Sequence, residues 1–383
     1  MTRAVAIIDG EHHAPVVRAA LAALPYDVVG ALLVGGTEKL RGGEDYGVPL
    51  VDALDSVAAD VVVDVSDEPV LGPQERFRWI SRALALGLSY VGADFRFDPP
   101  RFHPFDLPSI AVIGTGKRVG KTAITGHLAR LLARDHAVVV VAMGRGGPAE
   151  PELIETPPTL DDLLALSRSG RHAASDHLEL AALAGVVTIG CRRAGGGLAG
   201  QVLDSNVAAG AALAHSLAPE IVVFDGSGAA IPPIATSARI LVAGPDHDLD
   251  AYLNPYRVAI SDLVVGIGDV PRADVCVELR LRPASPLEGR RVAVFTTGPA
   301  PVEHLDAQIV HVSRNLADRN ALRTELATVD AEVYLVELKA AAIDVVAEAA
   351  AVRGAELVLA ENEVIAQGLD DALLALVPDK VPA

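Results

Sequence analysis

The segment that most restricts the fold of this chain is Ser109 to Leu132, SIAVIGTGKRVGKTAITGHLARLL. An apolar run leads into a glycine-rich turn and then into a helical pattern in which Ile124, Leu128 and Leu131 fall on one face at i, i+4 and i+7. Strand, turn and helix in that order frame a phosphate loop, where backbone N–H groups and the helix N-terminus point at phosphate oxygens. Gly114, Thr115, Gly116, Arg118, Val119, Gly120, Lys121, Thr122 and Ala123 are expected to wrap the phosphates of a nucleotide. Lys121, with Lys117 beside it, is expected to meet the outer phosphates as a catalytic cation, and the Thr122 hydroxyl to ligate magnesium. One spacing departs from the usual pattern: the first glycine should fall at position 115, which is Thr115, and Gly114 stands one residue earlier. A glycine-rich turn that merely joins a strand to a helix is the plain alternative.

Lysine usage sharpens the reading. The chain has five lysines against 27 arginines, and two of the five lie in this turn, where a compact ammonium suits a phosphate. None of the five is followed two residues later by aspartate, as a guanine-reading motif requires, so ATP is the expected nucleotide. The second magnesium ligand should be an acidic residue at the end of another buried strand. IVVFDGSGA supplies Asp225 directly after Ile221 to Phe224, although a strand followed by aspartate can also be a simple turn.

Across the rest of the chain, short Val/Ile/Leu runs alternate with longer Ala/Leu-rich segments, the pattern of strand and crossover helix. The fold class is α/β, with a mostly parallel sheet expected in a central P-loop domain. Residues 1–105 read as a smaller Rossmann-like α/β domain, 106–288 as the ATP-binding and catalytic domain, and 289–383 as a carboxyl-terminal α/β lobe. Between the first two, FRFDPPRFHPFDLPS carries Pro99, Pro100, Pro104 and Pro108 and can sustain neither helix nor inner strand.

Three further strand ends combine arginine with glycine: AMGRGGP with Arg145 and Gly146, RSGRHAASDH with Arg168, Arg171 and His172, and CRRAGGG with Arg192 and Arg193. The carboxyl ends of strands are where open α/β sheets bind ligands, and arginine forks match phosphate oxygens. Arg145, Gly146, His172, Arg192 and Arg193 are therefore expected to hold a polyanionic second substrate, with Arg145 also catalytic; Arg168 and Arg171 serve equally well as helix C-terminal cations. At the amino terminus, IIDGEHHAPVV places Asp9, Glu11, His12 and His13 where the first strand runs out, as substrate contacts or a proton donor, or as the start of a helix with Pro15 in its first turn.

Charge and cysteine content narrow the partners. A formal charge of −18 repels nucleic acid and anionic membranes, so neither is expected, and an anionic ligand must be gripped by local basic groups. Hydrophobic residues make up 51% of the chain, yet no run of 18 apolar residues occurs. Cys191 and Cys276 form neither a metal spacing nor a disulfide framework, which fits a reducing, cytoplasmic setting.

GTGKRVGKT has the G-T-x-x-x-V-G-K-T layout of the dethiobiotin synthetase phosphate loop, which accounts for the displaced glycine. Taken together, IDGEH, IGTGKRVGKTA, MGRGGP, SRSGRHAASD, RRAGGGLAG and SDLVV resemble the cyclic 2,3-diphosphoglycerate synthetase family, from residue 5 to about residue 300. The resemblance implies an ATP-dependent ligase that closes an intramolecular phosphoanhydride, with ATP and Mg2+ at one site and a small anionic glycerate phosphate, 2,3-diphosphoglycerate, beside it; a homodimer is one option for its assembly. Two other classes use the same loop: a kinase phosphorylating 2-phosphoglycerate, and a nucleotide-dependent switch or metallochaperone.

Overall fold

The computed structural model describes residues 1–169, 175–297, 301–338 and 342–378. The chain divides into two compact units. The first comprises residues 1–101, 197–201 and 247–261, and the second comprises 102–196, 202–246 and 262–383.

The first unit opens with β1 (Arg3–Ile8), α1 (Ala14–Ala23), β2 (Asp27–Leu33), β3 (Val61–Asp64), α2 (Pro73–Ala85), β4 (Ser89–Val91) and β5 (Arg96–Phe97). Its sheet runs β2-β1-β3-β4-β5, parallel except where β5 turns back on β4 at the edge. Arg96–Phe97 is thus an edge strand inside the proline-rich stretch, the one position in a sheet that such a sequence tolerates. β1 is buried from Ala4 to Ile8, and one side of the sheet packs Val17 and Leu21 of α1 against Ala6 and Ile8.

The second unit begins with β6 (Ser109–Gly114), α3 (Lys121–Leu132), β7 (Val138–Gly144), β8 (Glu152–Ile154), α4 (Leu160–Arg168) and α5 (Asp176–Ala184). It continues through β9 (Val187–Ala194), β10 (Asp204–Ser205), α6 (Val207–Ser216), β11 (Ile221–Asp225) and β12 (Ala238–Ala243). A short helix, α7 (Asn254–Ala259), belongs to the first unit; β13 (Leu263–Ile267) and β14 (Val275–Pro283) return to the second. The remaining elements are β15 (Arg291–Phe295), β16 (Gln308–Ser313), α8 (Arg319–Leu326), β17 (Val333–Glu337), α9 (Ile343–Arg353), β18 (Glu356–Ile365) and α10 (Leu369–Leu374).

One sheet spans this unit in the order β10-β9-β7-β11-β6-β12-β13-β14-β18-β17-β15-β16, with β8 on β9. From β9 to β14 every pairing is parallel. Strands β6, β7 and β11 are buried along their whole length, which is why they read as unbroken apolar runs: helices or further chain cover both faces of a parallel sheet. The helix face expected from Ile124, Leu128 and Leu131 is buried against Ile110, Val112, Val140 and Val223. β6 is the first strand of this sheet in sequence; β11 and β7 lie to one side of it and β12 and β13 to the other. The strand order therefore changes direction at the carboxyl end of β6, the place where an open α/β sheet forms a ligand crevice. The carboxyl-terminal strands extend the same sheet, because β14 pairs parallel with β13 on one edge and antiparallel with β18 on the other. Among the described residues no helix is long and apolar enough to cross a membrane.

Candidate active site

The turn between β6 and α3 has the backbone of a phosphate loop. Arg118 and Gly120 take left-handed conformations (φ 64° and 86°), and Gly120 caps the helix that Lys121 opens. The displaced glycine has a steric reason. A Cβ built on Gly114 would lie 2.8 Å from Lys121 Cδ and 3.0 Å from Val119 Cγ2, so the lysine stem crosses the strand end only because no side chain stands there. Lys121 is buried to 7% exposure and its Nζ donates to the Gly116 carbonyl at 3.0 Å, curling the ammonium over the loop. Thr122 is buried beside it, while Lys117 and Arg118 are exposed.

Asp225 ends β11, next to both β6 and β7, and is 1% exposed. Its Oδ1 accepts a hydrogen bond from Thr125 Oγ1 at 2.7 Å, which ties the carboxylate to α3 one turn beyond the loop. The loop, Asp225 and the strand ends enclose a cavity of about 550 Å³. Residues 117–122 line it on one side, Gly144 to Gly146 and Asp225 to Gly228 on another, and Ser175, Asp176, Thr297 and Ala317 complete it.

The arginines divide by strand geometry. Arg145, at the end of β7, is exposed and lines the cavity, with its guanidinium over the next turn: a Cβ on Gly228 would meet Arg145 Nη2 at 2.7 Å. Arg193 is buried, and its Nη1 and Nη2 donate to the carbonyls of Gly195 (2.7 Å) and Ser227 (2.9 Å). Burial, and then the neighbouring Arg145 charge, push its pKa below the usual arginine value. Arg193 thus stands behind the Ser227–Gly228 turn and carries positive charge there without forming the cavity wall. Arg192, one residue earlier on β9, points to the other face of the sheet, as successive strand residues must. It pairs with Asp204 and donates from Nε to the Ala149 carbonyl at 3.2 Å. Arg192 and Arg193, expected to grip one ligand together, are not brought together on the cavity: neither lines it, and Arg193 stands behind it. His172 and Arg171 lie outside the described residues. Arg168 ends α4, exposed.

The amino-terminal cluster belongs to the first unit. Asp9 is fully buried and its acceptors are committed: Oδ1 takes the Glu11 amide (3.0 Å), the His12 amide (3.1 Å) and His12 Nδ1 (2.9 Å), and Oδ2 takes the Asp67 amide (2.8 Å). Burial raises the carboxyl pKa, but the bonds from His12 and from the two backbone amides outweigh it and hold Asp9 below the ordinary aspartate value. Glu11 pairs with Lys39. Asp9 therefore builds the turn, which leaves His12, about one-third exposed, and His13 as its accessible polar groups.

Four polar cavity residues were given no role by the sequence. Ser227 follows Asp225 in a stretch singled out only for its aspartate and glycines. Ser175 and Asp176 open α5 directly after the arginine-rich segment, with the serine-aspartate signal of a helix start. Thr297 follows β15 at a strand end resembling the others, and is held by Glu337, whose Oε2 accepts from the Thr297 amide (2.8 Å) and Oγ1 (2.9 Å) while Oε1 accepts from Asn362 Nδ2 (2.7 Å).

A family model described as "Cyclic 2,3-diphosphoglycerate synthetase, P-loop domain" matches residues 109–275. Models for the N-terminal and C-terminal domains of that synthetase match residues 3–98 and 283–363, so the likeness continues well past residue 300. The cyclic 2,3-diphosphoglycerate synthetase of Rubrobacter xylanophilus is 44% identical over 98% of this chain and 97% of its own length. That of Thermococcus gammatolerans is 41% identical over 97% and 96%, and that of Methanothermobacter thermautotrophicus 36% identical over 97% and 95%. Among solved structures, LpxK from Aquifex aeolicus aligns over 80% of this chain and 96% of its own at 14% identity with a TM-score of 0.46, too distant to say what this cavity holds.

Proposed function

Because this chain belongs to the cyclic 2,3-diphosphoglycerate synthetase family, an enzyme family with a P-loop domain, we propose that it closes the phosphoanhydride ring of cyclic 2,3-diphosphoglycerate from 2,3-diphosphoglycerate and ATP, releasing ADP and phosphate. The observation that supports this reading is the cavity itself, which is lined both by the phosphate loop of β6–α3 and by Arg145 from the end of β7. A simple nucleotide switch needs the first of these and not the second.

The order of bond changes follows from the chemistry of the two anions. An oxygen of one substrate phosphate attacks the γ-phosphorus of ATP; the bond to the β-phosphate oxygen breaks and ADP leaves. An oxygen of the other substrate phosphate then attacks the phosphorus so activated, and the transferred group departs as inorganic phosphate. Every reacting group is already an anion, so the protein's task is to position and neutralise. Lys121, and Lys117 with it, would stabilise charge on the transferred group. Arg145, with Arg193 fixing the Ser227–Gly228 turn behind it, would hold a glycerate phosphate against repulsion from the nucleotide.

A hydroxyl at Thr122 and a buried carboxylate at Asp225, on adjacent elements lining one cavity, are the all-oxygen donor set a hard divalent cation takes. These two residues would hold magnesium, which neutralises triphosphate charge when bound. The deciding experiment is phosphorus NMR of the products formed from ATP, Mg2+ and 2,3-diphosphoglycerate. Cyclic phosphoanhydride resonances and an equal yield of inorganic phosphate are expected; their absence with an active, folded sample overturns the reading.

A further inference from the structure

Ser175 lines the cavity with its hydrogen bonding unfinished. It occupies the N-cap position of α5, where a serine ordinarily accepts a bond from an amide two or three residues on. It makes no such bond. The Leu178 amide turns instead to the Ser175 carbonyl at 3.0 Å, beside the ordinary helical bond from Glu179 at 3.2 Å. The side chain is buried, the residue being 9% exposed, and Oγ has no partner. Burying a hydroxyl without a partner is unfavourable, so a position like this one is explained by something that enters the cavity.

The surroundings say what it is. The helix dipole places partial positive charge at this end of α5. Arg145 lines this cavity, Arg193 stands behind it, and Lys117 and Lys121 reach it from the phosphate loop. Asp176 opens the helix with a carboxylate, but it has partners of its own and its charge is felt by Arg193. A substrate with two phosphates that must be brought together, beside a nucleotide with three, needs a second set of donors separate from the phosphate loop.

The geometry points to Ser175 and the amino end of α5 as a second phosphate subsite, which takes one phosphate monoester of the glycerate substrate while the phosphate loop takes the nucleotide. This assignment rests on the cyclising-synthetase reading given above. Ser175 donates its hydroxyl hydrogen to a phosphate oxygen, and the positive end of the α5 dipole favours the charge.

The test is calorimetric titration of the full-length protein with 2,3-diphosphoglycerate, in the presence of a non-hydrolysable ATP analogue and Mg2+, for the wild type, Ser175→Ala and Ser175→Asp. Ser175→Ala should weaken diphosphoglycerate about tenfold and leave the ATP analogue within twofold, with KM for diphosphoglycerate rising more than kcat falls. Ser175→Asp sets a carboxylate at the same position, which should repel the phosphate and abolish diphosphoglycerate binding while the ATP analogue still binds. Equal losses for both ligands, or unchanged diphosphoglycerate binding in the two variants, overturn the subsite. A lower melting temperature of unliganded Ser175→Ala together with weaker ATP-analogue binding makes Ser175 a structural residue and overturns it too. Wild-type protein that binds the ATP analogue and not diphosphoglycerate overturns the functional reading, and the subsite with it; normal wild-type binding with indifferent variants removes the subsite alone.

Discussion

Thr125 and Asp225 stand a hundred positions apart in the chain, and the hydroxyl of one donates to the carboxylate of the other at 2.7 Å. Both are buried, Thr125 fully and Asp225 to 1% exposure. The bond fixes which way the carboxylate faces. If Asp225 holds magnesium, Thr125 orients it without touching the ion. Partners of this kind are worth about 10–100-fold in metal affinity. Thr125→Val, close in volume, should raise the Mg2+ concentration for half-maximal rate by about tenfold, and Thr125→Ser should restore it. A variant with wild-type Mg2+ dependence would separate Asp225 from the metal.

The two faces of β9 and its neighbour β7 give opposite expectations for similar residues. Arg145 lines the cavity, whereas Arg192 is spent on an exposed pair with Asp204 and on the Ala149 carbonyl. A charge-assisted bond to a phosphate is worth about 1.5–3 kcal/mol, or roughly 10–100-fold in affinity. An exposed ion pair is worth about 0–1 kcal/mol. Arg145→Ala should therefore raise KM for diphosphoglycerate by at least about tenfold, and Arg192→Ala by less than about threefold. Steady-state kinetics at saturating ATP checks both, and the reverse ranking would place the substrate on the wrong side of the strand.

How much of this could be read from the sequence depends on how local the signal is. The phosphate loop was legible because strand, turn and helix follow one another within two dozen residues, and each has its own pattern. β14 was not. In VCVELRLRP the inward positions Val275, Val277, Leu279 and Leu281 alternate with cysteine and charges, so a search for unbroken apolar runs passes over it. Arg192 and Arg193 look equivalent in the sequence; only the pairing of β9 with β7 and β10 decides which side each one takes. Ser175 and Thr297 reach the cavity from α5 and from the end of β15, and no local pattern shows which helix start or strand end will face the loop.

Asp9 provides a pH test. Its folded pKa lies below the ordinary aspartate value, so the stabilisation it supplies is fully present above the unfolded value near 3.9 and is lost as pH falls through the lower folded one. Asp9→Ala leaves three amides and His12 Nδ1 without their acceptor, a loss of about 1–3 kcal/mol at neutral pH. Thermal melts of wild type and variant should differ by several degrees at pH 7, and the gap should narrow as pH falls below the unfolded aspartate value near 3.9. A gap that persists undiminished into acid would assign the effect to packing instead of the carboxylate. If Asp9 acted only as a substrate contact, the free protein would melt alike with and without it.

The remaining question, ligase or kinase, is settled by following one phosphorus atom. In the cyclising reaction the γ-phosphoryl group is an activator: it lands on one substrate phosphate and is displaced by the other. Label from γ-labelled ATP should therefore appear in inorganic phosphate, with one ADP and one phosphate formed for each ring closed. A kinase acting on 2-phosphoglycerate leaves the label in the organic product and releases no phosphate. Idle hydrolysis of ATP imitates the first pattern, so phosphate release has to depend on added 2,3-diphosphoglycerate. Lys121→Ala is the internal control, because Lys121 is curled over the loop on Gly116 and is expected to turn to the transferred group. Removing one such charge-stabilising donor costs roughly 10²–10³ in rate. Label release should fall by that factor in the variant with its melting temperature unchanged. Label retained in a glycerate product would replace the ligase with the kinase, and phosphate release indifferent to diphosphoglycerate would remove the ligase.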